Sequence, residues 1–125
     1  MTATNAAAIV RSFCAAWERL DPEVLAPFLH DDILYHNMPL TPLNGKGPVM
    51  DYLRKAGPFE HCQWEIVNLA VQGNTVLTER VDRFVKHGKP IALEVMGIFE
   101  IERGLIRVWR DYFDLAGYRR QLDAL

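Results

Sequence analysis

The second half of the chain is punctuated at near-even intervals by tight-turn residues: Gly73-Asn74, His87-Gly88-Lys89 and Arg103-Gly104. Around them lie four segments with strand character, roughly Cys62 to Val71, Thr75 to Lys86, Ile91 to Ile101 and Leu105 to Phe113. Connections this short can only join antiparallel neighbours, because a parallel pair needs a long crossover. The spacing therefore commits half the sequence to a meander of consecutive hairpins.

The first half reads as helical. Thr4 or Asn5 can cap a helix in which Ile9, Phe13, Trp17 and Leu20 recur every three or four residues, flanked by Val10 and Cys14. Asp21-Pro22-Glu23 is a cap, a proline at the first position and an acid in the first turn, so a short second helix is expected to about Leu29. Ile33 to Asn37 reads as a strand, and the Pro- and Gly-rich stretch from Met38 to Gly47 as a loop. Pro48 starts a third helix that Gly57-Pro58 ends, and Gly117 opens a last one with Tyr118, Leu122 and Leu125 on one face. Helices followed by a meander make an α+β domain over residues 1–125, with a curved, mixed but mainly antiparallel sheet packed on three to four helices around a cone-shaped pocket.

Several function classes fall away on composition. The net charge is −2 with no basic run, so no nucleic-acid partner is expected. No apolar run reaches the length of a membrane span. Cys14 and Cys62 stand outside any C-x-x-C motif and read as reduced thiols of a cytoplasmic protein, and the N-terminus lacks a charged signal region. The histidines at 30, 36, 61 and 87 lack metal-ligand spacing, so no metal and no cofactor are expected.

What stands out is charge on strands that should bury one face. Alternation puts Val76, Thr78, Arg80, Asp82 and Phe84 on one side of their strand, and Leu105, Arg107, Trp109, Asp111 and Phe113 on one side of theirs. Asp111 thus sits between two aromatic residues. If that face is concave, its carboxylate needs a cation, and Arg80 is the candidate. The competing reading, an exposed cross-strand ion pair, is common on solvent-facing sheets. Tyr35 and Asn37 share a face at the end of the first strand, where a hydroxyl and an amide can hold a small polar molecule such as water. Tyr-x-Asn in that position is also ordinary turn chemistry.

Arg80-Val81-Asp82, the run Trp109-Arg110-Asp111-Tyr112-Phe113-Asp114, Tyr35-x-Asn37 and Gly97 together resemble the limonene-1,2-epoxide hydrolase family, over nearly the whole chain. The resemblance implies the cone of the nuclear-transport-factor-2-like superfamily. It also implies a catalytic set in which Asp111 is the general base and shares a water with Tyr35 and Asn37. Asp82 would be the general acid, and Arg80 would bridge the two carboxylates. Epoxide opening needs one ionised and one protonated carboxyl at a single pH, which two acids in one apolar pocket can supply. Alternation and resemblance together expect a substrate wall of Leu40, Met50, Leu53, Phe84, Leu93, Val95, Trp109 and Phe113, hence a small hydrophobic epoxide as partner. Family members are typically homodimers, and one is expected here. Two other readings stay open: a ketosteroid-isomerase-like or polyketide-cyclase-like enzyme, and a non-catalytic module that binds a hydrophobic ligand.

Overall fold

The computed structural model describes residues 3–123, with side chains from Asn5 onwards. Helix α1 (Ala3–Ala16) buries Ala6, Val10, Phe13 and Cys14, a stripe at helical spacing. Thr4 and Asn5 lie inside this helix rather than at its cap. The helix also stops earlier than the apolar spacing predicts. It tightens into a 3-10 turn over Trp17–Arg19, and Leu20 adopts a left-handed conformation and is exposed. The expected second helix is two 3-10 turns, Pro22–Val24 and Ala26–Phe28. Asp21 does cap the first, accepting from the Glu23 N–H at 2.9 Å. Pro27 accounts for the break, because it lacks the N–H that an α-helix would bond to the carbonyl of residue 23.

Six strands follow: β1 (Leu29–Asn37), β2 (Leu43–Asn44), β3 (His61–Gln72), β4 (Thr75–Lys86), β5 (Lys89–Glu102) and β6 (Leu105–Tyr112). Helix α2 (Lys46–Ala56) lies between β2 and β3, and α3 (Leu115–Asp123) closes the described chain. The last helix starts two residues before Gly117; Leu125, expected on its apolar face, lies outside the described residues. The strand order is β2-β1-β6-β5-β4-β3, with β3 to β6 as antiparallel hairpins. The pairing of β1 with β6 is parallel and makes the sheet mixed. It joins the two ends of the sequence, so that Tyr35 stands opposite Trp109 and Asn37 opposite Asp111.

Two irregularities set which side chains face inward. Across β6 and β5, Val108 pairs with Glu100 but Ile106 with Ile101, leaving Arg107 as an extra residue. The bulge re-phases β6, so Ile106, Trp109 and Asp111 are buried together while Arg107 is not. This corrects the simple alternation that put Leu105 and Arg107 with Trp109. A similar irregularity at Val67 re-phases β3. The inner face packs against α1 and α2, with Phe13 and Trp109 touching edge to face at the centre of the core.

Candidate active site

The site begins with a row across the sheet. Asn37 of β1 stands opposite Asp111 of β6, Asp111 opposite Gly97 of β5, and Gly97 opposite Thr78 of β4. Arg80 and Asp82 follow Thr78 on the same inward face of β4. Gly97 leaves a gap in the middle of the row. A Cβ built there would overlap the Arg80 guanidinium, sit 2.6 Å from Asp111 Oδ1 and 3.0 Å from Thr78 Oγ1. Through that gap Arg80 reaches across β5 to the carboxylate of β6.

All five guanidinium donors have acceptors. Nε and Nη2 donate to Asp82 Oδ1 and Oδ2 at 3.0 and 2.9 Å, a two-pronged pair. Nη1 and Nη2 donate to Asp111 Oδ1 and Oδ2 at 3.2 and 3.0 Å. Nη1 also donates to Thr78 Oγ1 at 3.0 Å, and the Thr78 hydroxyl in turn donates a hydrogen bond to the Gly97 carbonyl oxygen at 3.3 Å. The guanidinium lies over Trp64, 4.7 Å from the ring centroid. Arg80 is 1 % exposed, Asp82 5 % and Asp111 4 %. At that burial the reading as a solvated cross-strand pair fails. Burial opposes the charge on Arg80, but Asp111 and Asp82 outweigh it and hold the guanidinium firmly protonated. Burial pushes the Asp82 carboxyl up to about 6, against the opposing pull of Arg80.

The β1 side of the site carries a chain of hydroxyl and amide groups. Tyr35 Oη donates to Asn37 Oδ1 at 3.1 Å, and Asn37 Nδ2 donates to Tyr52 Oη at 3.4 Å. Tyr35 is held flat against Trp109, ring centroids 3.8 Å apart. Burial, then the nearby charge of Asp111, keeps the Tyr35 phenol well above its ordinary pKa, so it remains a proton donor.

One cavity of about 110 Å³ joins these groups: Tyr35, Asn37, Asp82 and Asp111 all border it. Of the apolar residues expected there, Leu53, Phe84, Leu93, Val95 and Phe113 line it. Three do not, and are corrected. Leu40 closes the turn after β1, its N–H on the Asn37 carbonyl, and is 38 % exposed. Met50 is turned into the core by α2, and Trp109 lies behind Tyr35 as its stacking base. Both are buried away from the cavity. Arg80 likewise acts from behind the two carboxylates. Sequence reasoning missed Trp17, Tyr52, Phe59, Cys62, Trp64 and Tyr118, all of which line the cavity. They come from five different segments, so no single periodicity connects them.

Burial pushes the Cys62 thiol up to about 11 and the Cys14 thiol to about 12, which leaves both poor nucleophiles. His30 pairs with Glu102, and His36 Nε2 lies 2.9 Å from the Leu40 carbonyl oxygen. Among the described residues, no three His, Cys, Asp or Glu side chains gather as a metal site.

Residues 4–122 match the family described as the limonene-1,2-epoxide hydrolase catalytic domain. Epoxide hydrolase EphG of Mycobacterium tuberculosis is 30% identical over 106 residues, 85% of this chain and 71% of that protein. A solved M. tuberculosis LEH-like epoxide hydrolase superposes with a TM-score of 0.85 at 29% identity, covering 96% of this chain and 90% of the other. A Catenulispora acidiphila protein with a ketosteroid isomerase-like fold gives 0.79 at 20% identity over 90% of each chain. At that identity the likeness speaks for the fold alone.

Proposed function

This chain belongs to the limonene-1,2-epoxide hydrolase family, and from that premise we propose that it adds water to small, largely apolar epoxides, giving vicinal diols in one step. The observation that carries the reading is the buried guanidinium held between two carboxylates on the wall of an apolar cavity. A shared Arg80 offsets one negative charge fully and a second only in part, which favours a single proton on the pair. The raised Asp82 is the group to hold that proton.

The chemistry then divides between the two acids. Asp111 takes a proton from a water that also bonds Tyr35 and Asn37. The water oxygen attacks an epoxide carbon as the C–O bond breaks. Asp82 gives its proton to the leaving oxygen, so no free alkoxide forms. Arg80 keeps both carboxyls aimed at the cavity, and the proton gained by Asp111 must be exchanged for one on Asp82 before the next turnover. No step draws on a metal or cofactor.

A ketosteroid-isomerase-like reaction needs one acid beside a carbonyl and has no use for the bridging Arg80. Turnover of simple epoxides, with none on an enone panel, supports hydrolysis; the reverse result removes it. An oxygen-18 single turnover with excess enzyme tests the one-step course. Label in the first-turnover diol supports direct attack by water. Unlabelled diol, with label in a peptide carrying Asp111 or Asp82, would mean an enzyme ester instead.

Two further expectations belong to this reading. One is a homodimer, for which Val67, Leu77, Met96 and Tyr112 offer exposed apolar surface. The other is a cytoplasmic setting, with which the free, buried Cys14 and Cys62 agree.

A further inference from the structure

The cavity is built from an unusual share of the chain's aromatic residues. Of thirteen (three Trp, four Tyr and six Phe), eight border it. Tyr35 and Tyr52 belong to the polar cluster; the other six are Trp17, Phe59, Trp64, Phe84, Phe113 and Tyr118. Their mutual packing decides what they can offer a ligand. Trp17 stacks on Trp64 at 4.0 Å and 15°. The Arg80 guanidinium also lies over Trp64, and two flat groups cannot share one face. Both faces of Trp64 are therefore occupied, and it turns its rim to the cavity. Phe84 meets Phe59 at 61° and Tyr118 at 66°, and Tyr118 meets Phe113 at 85°. Each such pair uses the rim of one ring against the face of the other, so the cluster lining the cavity holds both rims and faces, and either can meet an aromatic ligand edge to face.

A ring's rim is its positive edge, and it attracts the negative face of another ring. A saturated ring has no such face and gains only burial. Size narrows the choice further. At about 110 Å³ the cavity is on the scale of the roughly 150 Å³ space that holds a benzene. A neighbouring cavity of about 200 Å³ is walled by Trp17, Leu53 and Phe59, which both cavities share. We propose that this site takes epoxides carrying one aromatic ring close to the oxirane, in preference to saturated or long-chain epoxides; the proposal rests on reading the site as an epoxide hydrolase.

The test compares benzyloxirane with (cyclohexylmethyl)oxirane on the wild-type protein. The methylene keeps either ring out of conjugation with the breaking bond, so intrinsic reactivity is matched. One or two rim-to-face contacts should favour the aryl epoxide by about tenfold in kcat/KM. Phe84→Leu and Phe113→Leu should each narrow that ratio by about threefold. Phe113 is the less buried of the two and covers the case in which the Phe84 variant fails to fold. The matched diols, 3-phenyl- and 3-cyclohexyl-1,2-propanediol, provide a calorimetric affinity ratio that needs no turnover. If no epoxide is hydrolysed while the phenyl diol binds more tightly, the hydrolase reading fails and the ring preference stands. Equal ratios, or a preference for the cyclohexyl partner, would overturn the proposal. So would faster turnover of 1,2-epoxydodecane, which would mean that the wall of Trp17, Leu53 and Phe59 opens into the neighbouring cavity.

Discussion

Gly97→Ala is the most economical test of how the site is assembled, because it adds one methyl group and no charge. The new Cβ would overlap the Arg80 guanidinium and stand 2.6 Å from Asp111 Oδ1, about 0.8 Å inside the 3.4 Å at which ordinary contact begins. These neighbours hold each other through bonds of 3.2 and 3.0 Å. A shift of that size takes at least one of them past hydrogen-bond length. Overpacking of this kind costs about 1–3 kcal/mol, and a buried ion pair that breaks outright about 3–5. Replacing glycine in a strand returns about 0.5–1 kcal/mol. The net expectation is a loss of about 2–4 kcal/mol in urea unfolding. Turnover should fall about 100-fold, as misplacing reacting groups by roughly an ångström does. Gly47→Ala is the control: it lies in α2, does not border the cavity, and beyond its chain neighbours and its own helix backbone its added methyl meets nothing within 4 Å. Because Gly47 precedes Pro48, where a helical residue with a Cβ is crowded, no gain in stability is expected, and turnover should be left alone. Wild-type turnover in Gly97→Ala would refute the argument that this gap is what lets Arg80 reach Asp111.

Asp82→Asn and Asp111→Asn should each lower kcat by about 10³-fold or more, with circular dichroism unchanged; near-normal rates for Asp111→Asn would remove the proposed base. Tyr35→Phe and Asn37→Ala should cost less, since each supplies one part of the water's anchoring, and rates equal to those of the Asp variants would contradict that division. Tyr52→Phe deletes the acceptor for Asn37 Nδ2 and should lower kcat severalfold, an effect that should vanish when Asn37 is already Ala. Asp82 binds its proton more tightly folded, near pH 6, than unfolded, near 3.8. Its contribution to stability is therefore fully present below about pH 3.8 and lost as pH rises through about 6. Turnover that needs the protonated acid should decline through the same upper limit. Urea unfolding from pH 3 to 8 should show the stability term in the wild type and lose it in Asp82→Asn; identical profiles would assign the term elsewhere.

Local chemistry and tertiary packing left different marks on this protein. The hairpins were legible because strand pairing between close neighbours is a local matter. The turn at Gly73-Asn74 alone determines that β3 and β4 pair. Alternation along β4 likewise put Thr78, Arg80 and Asp82 on one face, and a continuous strand must keep that order. The same rule misplaced Arg107 on β6, because a bulge depends on the partner strand and leaves no signal in the residues themselves. Pro27 did leave a signal, and it outweighs the cap at Asp21 that starts the expected helix.

The residue types of the polar site could be read from the chain, as could the possibility that Arg80 bridges Asp82 and Asp111. Whether that bridge is buried could not. Burial depends on the parallel pairing of β1 with β6, which joins residues more than seventy positions apart, and on α1 and α2 covering the inner face. The cavity wall was less legible still. Met50 and Trp109 are apolar and near the right place, yet packing turned one into the core and set the other behind Tyr35. Trp17, Phe59 and Tyr118 reach the cavity from segments with no shared period. A hydrogen-bonding group declares its chemistry in its own identity, so the sequence alone determined which acids, amide and hydroxyls this protein has to work with. An apolar side chain serves equally as core or as wall, and only the folded arrangement of its neighbours decided which.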